Sequence, residues 1–395
     1  MGRLLGLVLA SAAVAASAQT PEPYSAEVAA GLRAVKWTPA RVESLIVRMP
    51  KVEIHVHLDG SLSPALVAKL AADQGHAPLL GKTPAQVAAL TVVSSAQPSL
   101  AKVLEAFKVV YPLLKTRAAV EEAAYELLKA ASKSNTRRVE VRFAPALMAA
   151  EGFSAEDALK AALAGLERGG RDFRVESGVI LCLLRPDALQ SMAVNEETLA
   201  LALAYRGRGV VGVDLAGDEA AAPLARYAPL LAKAKAAGLG VTVHAGETPG
   251  SRDLAAAFEL GVDRLGHATG LGGDEKMRDA FRGRGTPIEL NLTSNLRTSA
   301  VKSLKDHPAR AWRALGMPLA VSTDDPGVFG VDLNGEYRLL RSQLGFTPAD
   351  LVAASLQAVD AQFLPAGRRK VMRAAFEREL VGVLKALAAE KDPKK

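Results

Sequence analysis

Apolar positions along the chain follow two rhythms. Short runs rich in β-branched and aliphatic residues alternate with longer Ala/Leu-rich stretches whose apolar positions recur at helical spacing. The strand-like runs are KVEIHV (51–56), RRVEVRF (137–143), RVESGVILCLL (174–184), GVVGVDL (209–215), GVTVHA (240–245), DRLGHA (263–268), TPIELNL (286–292) and MPLAVST (317–323). Strands alternating with helices predict an α/β fold with a parallel sheet, and eight of them are the number that closes a (β/α)8 TIM barrel. Between the first and second runs lies a long helical insertion, Pro64 to Lys133. In a barrel it belongs beside the C-terminal mouth, where it can act as a cover.

The polar residues that interrupt this pattern fall at the ends of the runs. His55 and His57, Glu140 and Arg142, Arg185, Asp214, His244 and Glu247, His267, Asn291 and Asn295, and Asp324 and Asp325 all stand where a barrel's strands open onto one mouth. Taken alone, His-x-His is a short motif that two satisfied core histidines can also produce. On a strand, however, residues two apart share a face, so both rings can reach one metal ion from the barrel interior. His244 adds a third imidazole and Asp324 a carboxylate, a nitrogen and oxygen set suited to a single catalytic zinc, whose effect is to bring the pKa of a bound water toward ~7. The site therefore reads as hydrolytic.

Composition narrows the alternatives. The 395 residues, 49% of them hydrophobic, suffice for one barrel-sized domain. The single cysteine, Cys182, rules out an intramolecular disulfide and any cysteine-ligated zinc, including the H-x-E with P-C-x-x-C deaminase site. The net charge of +7 is spread along the chain apart from GRRK and the terminal KDPKK, a pattern that argues against nucleic-acid binding. Residues 1–18, with Arg3, an apolar run and a closing ASA, are expected to be a signal peptide, with 19–48 a linker and lead-in helix and 49–390 the catalytic domain. Export to a periplasm or the medium follows as an expectation. No other segment approaches the ~20 apolar residues of a membrane span, and nothing in the sequence sets an oligomeric state.

Six motifs in order, HVHLDGSL, VEVRFAP, DLAGDE, HAGE, RLGHA and STDDPGVF, resemble the adenosine deaminase family of the metal-dependent amidohydrolases. The resemblance runs from about Pro50 past Phe329. It implies a (β/α)8 barrel holding one Zn2+ that converts adenosine and 2'-deoxyadenosine to inosine and ammonia. It also implies roles: His55, His57, His244 and Asp324 as zinc ligands, Glu247 as proton donor to purine N1, and His267 as base and electrostatic partner of the attacking hydroxide. Asp325 would orient the hydroxide and contact N7, Gly217 would offer its N–H to N3, and Asp59 would hold the ribose 5'-hydroxyl. Deamination of adenine or another 6-aminopurine keeps the same machinery and stands as an alternative, as does an exported nucleoside-binding protein without turnover.

Several residues have ordinary structural explanations. Asp218 and Glu219 are expected to cap a following helix, Glu140 and Arg142 to form a buried supporting pair, and His76 and His307 to lie on the surface. Cys182 is expected to be an inert core thiol. Phe107 and Tyr111 fit both ordinary packing and a cover over a purine edge. Pro186 stands where many members of the family carry histidine, so contacts on that side of the pocket are not carried over.

Overall fold

The computed structural model describes residues 23–185, 191–248 and 253–390; the expected leader at 1–18 and Pro186 lie outside them. The strands are β1 (Lys51–His57), β2 (Thr136–Phe143), β3 (Glu176–Leu184), β4 (Val210–Ala216), β5 (Gly240–Val241), β6 (His244–Ala245), β7 (Leu265–His267), β8 (Ile288–Leu290) and β9 (Leu319–Val321). All pair in parallel, in the orders β1-β2-β3-β4-β5 and β6-β7-β8-β9. β5 and β6 are one barrel strand interrupted at Thr242–Val243, so the eight predicted strands are present with the fifth broken. At the break Thr242 still donates its backbone N–H to Val213 (3.1 Å), and its hydroxyl turns inward to Glu289 Oε1 (3.0 Å).

The barrel closes at its chemistry. Asp324 N donates to His55 O at 3.0 Å and His57 N donates to Asp324 O at 2.8 Å, so the segment after β9 rejoins β1 through the residues singled out from the sequence. Asp324 takes a left-handed φ of 64° to do this, and His267 and Ala268 take 61° and 59°. Such conformations strain a side-chain-bearing residue and persist where surrounding contacts enforce them, commonly at functional sites.

Charged side chains fill much of the barrel interior. Arg142 donates to Asp214 Oδ2 and to Glu289 Oε2, both at 2.9 Å, and Arg264 meets Glu140 Oε2 and Glu289 Oε1, both at 2.6 Å. These groups are buried, and such a set is tolerated only when nearly every member is paired. Glu140 and Arg142 are thus buried supports as expected, but each pairs with other partners.

The lead-in region forms two helices, Ala26–Ala34 and Pro39–Arg48, capped by Ser25 and Thr38 and packed beside the last helix, Ala366–Ala389. In the insertion, helices Pro64–Asp73 and Pro84–Thr91 lead to short turns through Leu113, and Arg117–Lys133 is the long helix that precedes β2. Val103, Ala106 and Phe107 of those turns pack on Val328 and Phe329 in a small cluster of their own, separate from the main core. That contact brings the insertion over the mouth. Among the described residues no helix is long and apolar enough to cross a membrane.

Candidate active site

Side-chain nitrogens of His55, His244 and His267 and an oxygen of Asp324 lie within 4.8 Å of one another, and the same holds for His57, Asp324 and Asp325. The expected quartet spans both groups. His55 Nε2 is 3.0 Å and His57 Nε2 3.2 Å from Asp324 Oδ1, and His57 Nε2 is 3.3 Å from His244 Nε2.

The supporting carboxylates decide what these atoms are. Burial opposes the charge of Asp214 and Glu289, yet His244 and Arg142 hold Asp214, and Arg142 and Arg264 hold Glu289, well below the usual carboxylate range. An ionised carboxylate only accepts, so His55 Nδ1 donates to Glu289 Oε2 (2.6 Å) and His244 Nδ1 donates to Asp214 Oδ2 (3.0 Å). Both Nε2 atoms then present lone pairs to the centre. His244 stays neutral there, its pKa pushed down to about 4 mainly by burial. His55 Nε2 and Asp324 Oδ1, both buried, have no hydrogen-bond partner. Acceptors that face one another across about 3 Å repel unless a cation lies between them, so this set fits a divalent metal.

Around this centre stand further titratable groups. Glu247, two residues past β6, has its pKa raised well above the normal carboxyl value, first by burial and then by Asp324 and Glu219, which favours its protonated form. Its Oε2 is 3.7 Å from His267 Nε2. Burial with Asp324 and Asp59 beside it pushes Asp325 up as well, while burial lowers His267 well below the normal imidazole value. The backbone of Gly60 makes room for Asp325, because a Cβ at Gly60 would sit 1.8 Å from Asp325 Oδ1. Gly217 lines the pocket at φ 91°, a conformation that leaves its backbone accessible to a ligand.

All nine sequence-selected residues meet in the barrel mouth: a cavity of about 380 Å³ is lined by all of them except His55, which lies directly behind it. A larger cleft of about 700 Å³ at the opposite end of the barrel, lined by Arg206, Lys235 and Asp263, carries no comparable set. Over the mouth, Tyr111 hydrogen-bonds Asp59, whose pKa is raised by burial, and Phe107 stacks toward Tyr111 with ring centroids 5.9 Å apart. Phe107 and Tyr111 therefore serve both as packing and as a wall of the pocket.

Three expectations need correction. Glu219 is no helix cap: its carboxylate accepts the backbone N–H groups of Glu247 (3.2 Å) and Thr248 (3.4 Å) and so holds the acid in place, while Asp218 caps only a turn through Ala220 N. His307, expected at the surface, is 2% exposed. Expected alongside it at the surface, His76 is half-buried. Sequence reasoning also passed over Glu289, although it lies two residues before Asn291 on the inward alternation of β8. Cys182 is buried in a small apolar cluster, as expected.

Residues 50–378 match the family profile described as adenosine deaminase. The chain is 33% identical over 327 residues to an adenosine deaminase of Lacticaseibacillus casei, covering 82% of this chain and 95% of that protein. The apo N6-methyl-AMP deaminase of Arabidopsis thaliana is a structural neighbour at TM-score 0.74 and 26% identity, covering 85% of this chain and 98% of the other. A zinc-bound amidohydrolase from Burkholderia ambifaria shares the fold at TM-score 0.78 and 24% identity, over 90% and 96%. The curated relatives are cytosolic-type bacterial enzymes, which overturns the expectation of an exported, periplasmic protein.

Proposed function

The chain belongs to the adenosine deaminase family, a family of metal-dependent hydrolases, and we propose that it takes up one zinc ion and converts adenosine and 2'-deoxyadenosine, with water, to inosine or 2'-deoxyinosine and ammonia. One observation carries this reading: a buried Glu247, its pKa raised well above the normal carboxyl value, stands 3.7 Å from His267 at the edge of the converging side chains of His55, His57, His244 and Asp324. Bound there, zinc acts as a Lewis acid that makes water a stronger nucleophile at neutral pH.

The chain's own groups do the remaining work. Water attack at C6 pushes electrons toward N1 and breaks the ring's aromaticity, and Glu247 delivers its proton to N1 as this happens. His267 and Asp325 flank the attacking oxygen and fix its direction, and the Gly217 N–H binds N3. One proton shed by the attacking water passes to the amino group, which leaves as ammonia when the C6–N bond breaks, and the other returns to Glu247 as the C6 hydroxyl becomes the carbonyl of the product. Zinc is favoured by the nitrogen-rich donor set without cysteine, and the zinc-bound neighbour fits that choice.

Asp59 is the proposed sugar anchor. A carboxylate at that depth can accept a hydrogen bond from a ribose hydroxyl, which adenine lacks, and it would repel the phosphate of AMP. The expected order of kcat/KM is adenosine, close to 2'-deoxyadenosine, well above adenine and AMP. Asp59→Ala should cost adenosine about 1–3 kcal/mol in kcat/KM and leave any adenine turnover nearly unchanged. Equal losses on both substrates, or preference of the wild type for adenine, would replace this reading with the 6-aminopurine alternative.

A further inference from the structure

His307 lies away from the reaction cavity, on the turn between Leu304–Asp306 and the helix Ala309–Ala314, and it is buried edge-to-face against Trp312 at 5.8 Å between ring centroids. The backbone N–H of Ala309 donates to its Nδ1 at 3.1 Å. That contact has one direction, because a backbone N–H cannot accept. Burial lowers the pKa of His307 to about 3, so the ring is neutral and its only proton resides on Nε2.

From this fixed start the directions propagate. His307 Nε2 lies 3.1 Å from Asn295 Oδ1, so the amide oxygen accepts there. Asn295 Nδ2 then faces His267 Nδ1 at 2.9 Å and donates to it. Asn291 Nδ2 approaches the same His267 Nδ1 at 3.4 Å. Reversing the Asn295 amide would require His307 to accept at both ring nitrogens, which a neutral imidazole cannot do. With Nδ1 accepting, neutral His267 must carry its proton on Nε2. That nitrogen is buried without a hydrogen-bond partner and points toward Glu247 Oε2 and Asp324 Oδ2, at 3.7 and 3.9 Å.

We propose that His307 and Asn295 are positioning residues that hold His267 in its Nε2–H tautomer, so that it meets the attacking oxygen as a hydrogen-bond donor and is withheld from the metal. Their chemistry separates the histidines of the mouth into two kinds. His55 and His244 receive carboxylates on Nδ1 and show lone pairs to the centre, whereas His267 receives an amide N–H on Nδ1 and shows a proton. This also limits the role expected of His267 from the sequence: in this tautomer its Nε2 cannot take a proton from water until it has lost its own. The inference rests on the deaminase reading only for what the donor meets, because the tautomer itself is a property of the resting protein.

The test uses the full-length, metal-loaded protein with 15N-labelled histidine. Six histidines give a tractable long-range 1H–15N spectrum, and a His267→Gln variant assigns the relevant ring by difference. The wild type should show His267 with a pyrrole-type Nε2 and a pyridine-type Nδ1. Asn295→Asp, whose carboxylate only accepts, should reverse that pattern. His307→Phe, which keeps the ring packed on Trp312, should lower kcat roughly 10- to 100-fold with KM and metal content nearly unchanged, the scale typical of residues that orient a working group. His307→Gln, whose amide can again donate to Asn295, should recover most of the loss. A wild-type His267 protonated on Nδ1 would overturn the proposal, and so would a His307→Phe enzyme with full kcat or one whose kcat, KM and metal content fail together. Should adenosine not be turned over at all, the deaminase reading falls, while the tautomer spectra still decide the relay.

Discussion

Glu247→Gln is expected to keep its metal and its fold while kcat for adenosine falls by roughly 10²–10⁴, the range of a positioned general acid. The amide fills nearly the same volume and can still accept from its neighbours, but it has no acidic proton to deliver to N1. Burial together with Asp324 and Glu219 raises the Glu247 pKa, so the wild-type acid stays protonated well above the range of an ordinary carboxyl group. Activity due to this group is therefore present below the raised pKa and lost as pH rises through it. The variant should lack that alkaline fall. A near-normal rate with an unchanged pH profile would mean that another group protonates N1.

His244→Ala should have the other large effect. It removes one of the lone pairs that face the centre, and with it the group that helps keep Asp214 ionised. Metal content, measured by elemental analysis, should drop from about one zinc per chain to a small fraction, and turnover should fall about 10³-fold or more, since both the Lewis acid and its electrostatic field are lost. A His244→Ala enzyme that stays fully active without metal would remove His244 from the ligand set.

The sequence revealed most where alternation is strict. His55 and His57 share one face of β1, so two imidazoles on an otherwise buried strand could be recognised as deliberate. His244 and Glu247, and Asp324 and Asp325, were legible because each follows a strand directly into the mouth. The break of the fifth strand at Thr242–Val243 was not, because GVTVHA reads locally as one uninterrupted strand. Glu219 was misassigned because acidic residues favour a helix N-terminus, whereas its real partners, the N–H groups of Glu247 and Thr248, lie 28 and 29 residues further on. His307 was missed because its burial depends on Asn295 and Trp312, which reach it through tertiary packing.

The most direct test of the central claim is product analysis of purified, zinc-replete protein given adenosine, adenine and AMP in parallel. The account predicts inosine and ammonia in equal amounts from adenosine, far faster than any change in the other two. Unaltered adenosine beside rapid conversion of adenine or AMP would contradict it.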